Sequence, residues 1–151
     1  MIKFSKLTDY AVVVLATLSQ SDRLMSAHCL SEETHLPEPT VSKVLKLLAK
    51  ANVVKSMRGV NGGYDLPIDA SQLSILRIVT AIDGPVNMSA CVDTSKEYCD
   101  FSDGCPVHGR WDGVNDAIKS AIDSFTLADM IRDDYKISKS NNSKTEESVQ
   151  A

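Results

Sequence analysis

The 151-residue sequence lacks any hydrophobic run long enough to cross a bilayer. About 18–20 consecutive apolar residues are needed for a span, and the longest run covers only residues 11–16. The sequence also lacks the pattern of a signal peptide, because the polar pair Thr8 and Asp9 lies near its start and no small-residue cleavage site follows the apolar stretch. These absences predict a cytoplasmic protein without a membrane partner, in which disulfide bonds are not expected.

Motifs of the common enzyme classes are missing as well. The sequence contains no phosphate-binding loop, no nucleophile elbow and no acid–base pair in a supporting context. We therefore expect a protein that is not an enzyme. The hydrophobic content of 43% and the charged content of 24% are ordinary, and with this length they predict one globular domain with appendages.

The formal net charge of −4 disfavours a nucleic-acid partner at first sight, but the charge is unevenly distributed. Residues 1–64 contain eight basic and five acidic residues, whereas residues 65–151 contain eight and fifteen. A local basic stripe can bind phosphates in an acidic chain, although surface lysines alone are also typical of a solvated helix face. Residues 39–64 form such a stripe, with no acidic residue and five basic ones: Lys43, Lys46, Lys50, Lys55 and Arg58.

The apolar spacing of the first fifty residues predicts three helices. The first runs roughly over residues 5–19, and the second is short, capped by Ser26 and ending near Glu33. Pro39 suits the first turn of a third helix that runs to about Ala51. Two helices joined by a short turn, the second of them polar and basic on its outer side, are typical of a helix-turn-helix.

A predicted β-hairpin follows these helices directly. Residues 53–58 read as a strand, residues 59–63 contain an Asn-Gly turn signal, and residues 64–66 return as the partner strand. A basic hairpin in this position is either a wing that contacts DNA or a hairpin that only closes the domain, and a wing would bring an arginine to the minor groove. The predicted DNA-binding residues are Pro39, Thr40, Ser42, Lys43, Lys46, Lys50, Lys55 and Arg58.

Three of the four cysteines lie in one polar segment, with the spacing C-x7-C-x5-C-x2-H. The segment has little hydrophobic periodicity, so we expect metal ligation rather than core packing. The spacing leaves an iron–sulfur cluster, zinc and redox-active free thiols open, and it lacks the close cysteine pair usual in zinc sites. The remaining cysteine, Cys29, is expected to be a small core residue. The predicted metal ligands are Cys91, Cys99, Cys105 and His108.

The C-terminal part has a second strong helical pattern. Apolar residues recur at three- and four-residue spacing from Val107 to Phe125, over about 18 residues. This pattern predicts a long helix that pairs two subunits, the alternative being a helix that packs within its own chain. Ser74 is expected to cap a short helix, and Thr126 to start a last one.

The predicted fold is mainly α-helical with a small β-hairpin, a winged helix-turn-helix followed by a long C-terminal dimerisation helix. Residues 1–67 would form the DNA-binding domain, residues 68–90 a linking helix, and residues 91–108 a metal-binding loop. Residues 107–135 would form the dimerisation and closing helices, and the polar residues 138–151 a disordered tail.

Several segments resemble the IscR-like winged-helix transcription regulators of bacteria. They are the LTDYAV segment of residues 7–12, the SMRGVNGGY segment of residues 56–64, the three cysteines, and the TLADM segment of residues 126–130. The resemblance covers about residues 1–135 and is greatest to regulators of SUF iron–sulfur assembly. It implies a homodimer on pseudo-palindromic double-stranded DNA, with one cluster per subunit, usually [2Fe–2S], held by Cys91, Cys99, Cys105 and His108.

Two positions depart from the family pattern. The first cysteine interval has seven residues rather than the family's five, so Asp9 or an acid of the loop is an alternative to His108 as fourth ligand. Ser42 stands where IscR has a glutamate in its recognition helix, so the resemblance does not fix the DNA sequence that this chain prefers. The resemblance predicts a cluster-sensing repressor or dual regulator of SUF genes. The alternatives are a repressor that senses nitric oxide or redox state on the same scaffold, and a zinc-stabilised interaction module.

Overall fold

The computed structural model describes residues 3–89, 92 and 103–131. In the first half, helices α1 (Lys6–Ser19), α2 (Ala27–Thr34) and α3 (Glu38–Lys50) precede a two-stranded antiparallel sheet of β1 (Lys55–Met57) and β2 (Gly63–Asp65). Helices α4 (Ile75–Asp83), α5 (Trp111–Asp123) and α6 (Leu127–Ile131) follow. The predicted fold class, mainly helical with one β-hairpin, is confirmed.

Serine side chains cap the N-termini of α1, α2 and α4. The hydroxyls of Ser5, Ser26 and Ser74 each accept a hydrogen bond from the backbone N–H three residues later, at 3.2, 3.1 and 3.3 Å. Helix α3 has no such cap, and Pro39 occupies its first turn, where the missing N–H has no partner to lose. The sequence therefore predicts these four helix starts to within a residue or two.

One hydrophobic core joins the three N-terminal helices with α4. Helix α1 packs against α2, α3 and α4, and α3 also packs against α4. Val53 and Val54 belong to this core and not to a strand, so β1 is shorter than the predicted strand over residues 53–58. The fully buried large side chains include Leu15, Met25, Leu30, Leu45, Leu48, Leu73, Ile78 and Leu127.

The hairpin is attached to the helices by a short β-bridge. Its register pairs Lys55 with Asp65 and Met57 with Gly63. Met25, just before α2, exchanges two backbone hydrogen bonds with Tyr64, at 3.1 and 2.8 Å. A Cβ at Gly63 would lie 2.9 Å from the carbonyl oxygen of Met25, so this close approach requires glycine.

The long C-terminal helix is not found at its predicted length. Helix α5 has 13 residues and begins at Trp111, whereas Val107 lies in the turns that precede it. Gly109 adopts φ +70°, which interrupts helical geometry just before α5. The predicted start of α6 is confirmed, since Thr126 N donates to Asp129 Oδ2 at 2.8 Å and Asp129 N donates to Thr126 Oγ1 at 3.3 Å.

Two of the predicted segments fall outside the described residues: most of the loop over residues 91–108, and the tail over residues 138–151. Among the helices of the described ranges, none has both the length and the apolarity that a membrane crossing requires.

Candidate functional site

Helix α3 has one buried side and one basic side. Val41, Val44 and Leu45 are fully buried against the neighbouring helices. Lys43, Lys46 and Lys50 are exposed, and Pro39 is exposed at the start of the helix, while Thr40 and Ser42 are half-buried. The predicted DNA-contact residues of this helix thus lie mainly on the surface that the core leaves free.

The hairpin adds two further cations to this surface. Lys55 in β1 and Arg58 just after it are exposed. In the part of the chain that the structure describes, both ion pairs involve His28, so neither cation is paired with a carboxylate. The three lysines of α3 are likewise unpaired there. Unpaired, exposed cations can bind phosphates without first breaking an internal contact.

A small charged cluster connects α2 with the beginning of α3. His28 Nδ1 lies 3.1 Å from Glu38 Oε2, and its Nε2 lies 3.5 Å from Glu32 Oε1. The hydrogen bond to Glu38 is the main cause of a pKa above 6.5 for His28, and the negative charges of Glu32 and Glu38 add to it. The sequence alone does not predict this cluster, because only the packing of α2 against α3 brings Glu38 to His28.

Two of the four predicted metal ligands can be located. Cys105 is half-buried on a turn, and the backbone N–H of His108, which is exposed, donates to the carbonyl of Cys105 at 3.2 Å. Cys91 and Cys99 lie outside the described residues. Within residues 3–89, 92 and 103–131, no three potential ligands meet in a metal-binding group. One thiol and one imidazole on the same turn suit a soft metal centre.

The two other residues considered as ligands lie elsewhere. Asp9 is exposed in the first turn of α1. Cys29 is a half-buried free thiol of α2 that packs against the hydrophobic core, so its predicted role as a small core residue is met in part.

Asp83, the last residue of α4, is bonded to the start of α1. Its carboxylate accepts from Ser5 Oγ at 2.6 Å, from Ser5 N at 3.1 Å and from Thr8 Oγ1 at 2.8 Å. Burial alone would raise the pKa of Asp83, but the hydrogen bonds from Ser5 and Thr8 outweigh it, so the pKa lies below 3.8. The sequence does not predict this contact, because the partners are more than seventy positions apart.

Replacing Asp83 with alanine is expected to lower the free energy of unfolding by about 1 kcal/mol at neutral pH, since three exposed or half-buried hydrogen bonds are lost. Because the folded-state pKa is lowered, this stabilisation is present above 3.8 and disappears as the pH falls through the folded value. Urea unfolding of both proteins at neutral and acid pH measures the difference. Glu33→Ala is the control, and an equal loss in that variant would contradict the role of Asp83.

A second contact fixes the segment between α4 and the cysteines. Met88 N donates to Asn115 Oδ1 at 3.2 Å, and the Asn115 side chain is buried in α5. The Nδ2 of Asn115 has no hydrogen-bond partner among the described residues. The chain that leads to Cys91 is therefore bonded to α1 at Asp83 and to α5 at Met88.

Helix α5 leaves much of its apolar side uncovered. Helix α5 packs against α4, and its Ile118 and Ile122 are half-buried. Trp111, Val114 and Phe125 are 43%, 45% and 57% exposed, and they form an apolar surface with Ala117 and Ala121. The predicted continuous apolar stripe thus contains half-buried residues as well as residues that remain exposed in the described part of the chain.

Comparison with known proteins agrees with this architecture. Residues 4–133 match the Rrf2 family, whose description is iron-dependent transcriptional regulator. The HTH-type transcriptional regulator IscR of Yersinia enterocolitica is 30% identical over 124 residues, which are 81% of this chain and 74% of that protein.

Solved structures have the same fold. CymR, the global cysteine regulator of B. subtilis, superposes with a TM-score of 0.64 at 25% identity, over 87% of this chain and 97% of its own. IscR of T. potens superposes with a TM-score of 0.59 at 29% identity, over 87% and 88% of the two chains. With the family match extending over most of its length, the chain belongs to the Rrf2 family and is a helix-turn-helix transcription regulator, not an enzyme.

Proposed function

We propose that this regulator binds DNA by placing α3 in the major groove and the hairpin against the adjacent minor groove. The observation that carries the proposal is the asymmetry of α3, whose apolar residues are buried while its lysines are exposed and have no ion-pair partner among the described residues. In a helix-turn-helix, the second helix contacts base edges through its N-terminal residues. Pro39, Thr40 and Ser42 would lie towards the bases, and Lys43, Lys46 and Lys50 would bind phosphates.

Arg58 tests whether the hairpin lies against the minor groove of the DNA. Minor grooves of A·T-rich DNA are narrow and concentrate negative potential, which favours an inserted arginine. Arg58→Ala is expected to weaken binding about tenfold and to remove a preference for A·T-rich flanks. Anisotropy titrations with duplexes that differ only in their flanks measure this, with Lys55→Ala as the neighbouring control. Equal affinity of the wild-type protein for all flanks would contradict minor-groove binding.

We propose that the regulatory signal is the occupancy of an iron–sulfur cluster, of the [2Fe–2S] type, bound by Cys91, Cys99, Cys105 and His108. Support comes from the IscR relatives, and from the thiol of Cys105 and the imidazole of His108 on one turn. Iron–sulfur clusters accept both kinds of ligand. When bound, such a cluster supplies one-electron redox chemistry. The regulated genes in this proposal are those of SUF iron–sulfur assembly.

The chain itself offers a connection between these ligands and the DNA-binding surface. The segment before Cys91 is bonded to α1 through Asp83 and to α5 through Met88. Helix α1 packs directly against α3. A change in the cysteine segment would therefore bias the position of the recognition helix, as in a two-state switch that a ligand biases.

In this proposal, the protein binds DNA as a dimer of two copies of the chain. The exposed apolar side of α5 suits a symmetric pairing of two copies, and a pair would present two recognition helices to a pseudo-palindromic site. Val114→Glu is expected to convert a dimer into a monomer, because it places a charge on this surface. Sedimentation velocity measures the change. Asp116→Lys, on the polar side of α5, should leave the dimer intact, and a monomeric wild-type protein would contradict the proposal.

A further inference from the structure

His28 has no role in the DNA recognition proposed above, yet it lies beside Glu38, the first residue of the recognition helix α3. Glu38 begins α3, and both it and Glu32 are exposed acids whose carboxylates lie within 3.1–3.5 Å of the His28 ring. The N-terminal end of a recognition helix is the part that comes closest to DNA. Two carboxylates there oppose the approach of phosphates, because like charges repel.

Protonated His28 changes this local charge. Imidazolium beside Glu32 and Glu38 reduces a local charge of −2 to −1, and it keeps the Glu38 carboxylate engaged at the helix start. These two acids are the charged groups that contact His28 in the described part of the chain, one on its own helix and one on α3. The hydrogen bond to Glu38 and the charges of Glu32 and Glu38 raise the pKa of His28 above its ordinary value, which favours the protonated form.

We propose that His28 is a DNA-binding determinant whose protonated form screens Glu38 and Glu32 from the phosphate backbone, so that DNA binding is coupled to uptake of a proton. The ligand class is the duplex sugar–phosphate backbone, with no base preference of its own. The inference rests on the proposed docking of α3 in the major groove, and it goes beyond that docking by adding a residue of α2 and a pH dependence.

The sign of the effect follows from linkage. Nearby phosphates favour the charged imidazolium, so the pKa of His28 is higher in the complex than in the free protein. Affinity is then highest below the free pKa and falls as the pH rises through the interval between the two values. For a single exposed group, a loss of about threefold to tenfold is expected between about pH 6 and about pH 8.

The direct test is an NMR titration of the histidine ring signals, with and without a mixed-sequence DNA duplex. A higher pKa for His28 in the complex than in the free protein is expected. A His28 pKa that is the same with and without bound duplex overturns the inference. This measurement uses the unmodified chain, so it does not depend on the folding of a variant.

Variants give an independent test through anisotropy titrations at several pH values. His28→Gln should bind DNA with a flat pH profile, at the weaker affinity of the wild-type protein at high pH. Glu38→Gln should bind more tightly at high pH, and Glu33→Gln, an exposed acid of α2 outside the cluster, should retain the wild-type profile. A wild-type slope that survives in His28→Gln overturns the inference. The double variant Lys43→Ala/Lys46→Ala tests the docking of α3 separately, because it should lose DNA binding at every pH. Failure of the proposed docking and failure of the inference about His28 are therefore distinguishable.

Discussion

Simultaneous alanine replacement of Lys43, Lys46 and Arg58 is expected to weaken duplex binding about 100-fold at moderate salt. Each exposed cation would release a counterion on contact with phosphate, which contributes about 0.9 to the slope of log affinity against log salt. Losing three such contacts should lower the magnitude of that slope by about three. The stability of the fold should change little, because all three side chains are exposed and none forms an ion pair with another residue that the structure describes.

Anisotropy titrations over a range of salt concentrations measure both quantities. The matched control replaces Lys3, Lys6 and Lys119, which removes the same charge from other parts of the molecule. A general effect of net charge would weaken binding equally in both triple variants. That result, or an unchanged salt slope, would contradict the assignment of α3 and the hairpin as the DNA surface.

Alanine at Cys105 is expected to abolish stable cluster binding, because removal of one thiolate opens the iron coordination to water and oxidation. Cys29→Ala removes a thiol from α2 that packs against the hydrophobic core, so iron and sulfide content should remain at the wild-type level. After anaerobic reconstitution, absorbance and assays of iron and acid-labile sulfide measure the difference. The same iron and sulfide content in Cys105→Ala and in the wild-type chain would contradict the assignment.

The same anaerobically prepared protein distinguishes the proposed cluster from zinc and from a nitric-oxide sensor, and it distinguishes the candidates for the fourth ligand. Zinc without iron after anaerobic purification would favour an interaction module stabilised by zinc. Release of DNA by nitric oxide, but not by cluster removal, would favour a nitric-oxide sensor. His108→Ala and Asp9→Ala compare the two candidates for the fourth ligand, since only loss of a true ligand should change the absorption spectrum of the cluster.

The helix-turn-helix could be predicted in detail because its determinants are local. Ser26 caps α2, and the buried positions of α3 follow the 3.6-residue period. The hairpin lies where the sequence predicts it, but its Asn-Gly pair does not form the expected two-residue turn, since the positive φ of the loop belongs to Gly59 and not to Asn61 or Gly62. These features depend on neighbours within a few positions, so the sequence specifies them without knowledge of the whole fold.

The contacts that connect the helices could not be predicted in this way. Asp83 reaches Ser5 because α4 packs against α1, which is far from it in the sequence. His28 reaches Glu38 because of the way the consecutive helices α2 and α3 pack together. Periodicity also could not distinguish the packed side of α5 from its exposed side, since Ile118 and Val114 fit the same pattern. The length of α5 was overestimated because apolar spacing ignores the left-handed backbone of Gly109.

The central claim is that the state of the cysteine segment controls affinity for DNA. Its most direct test is a gel-shift titration on a SUF promoter duplex under anaerobic conditions, with three samples: the reconstituted chain, the same chain after cluster removal, and the variant with alanine at Cys91, Cys99 and Cys105. We predict that the affinity changes on cluster removal, and that the triple variant behaves as the cluster-free chain whatever its treatment. A triple variant that retains both the chromophore and the cluster-dependent change in affinity would contradict the claim.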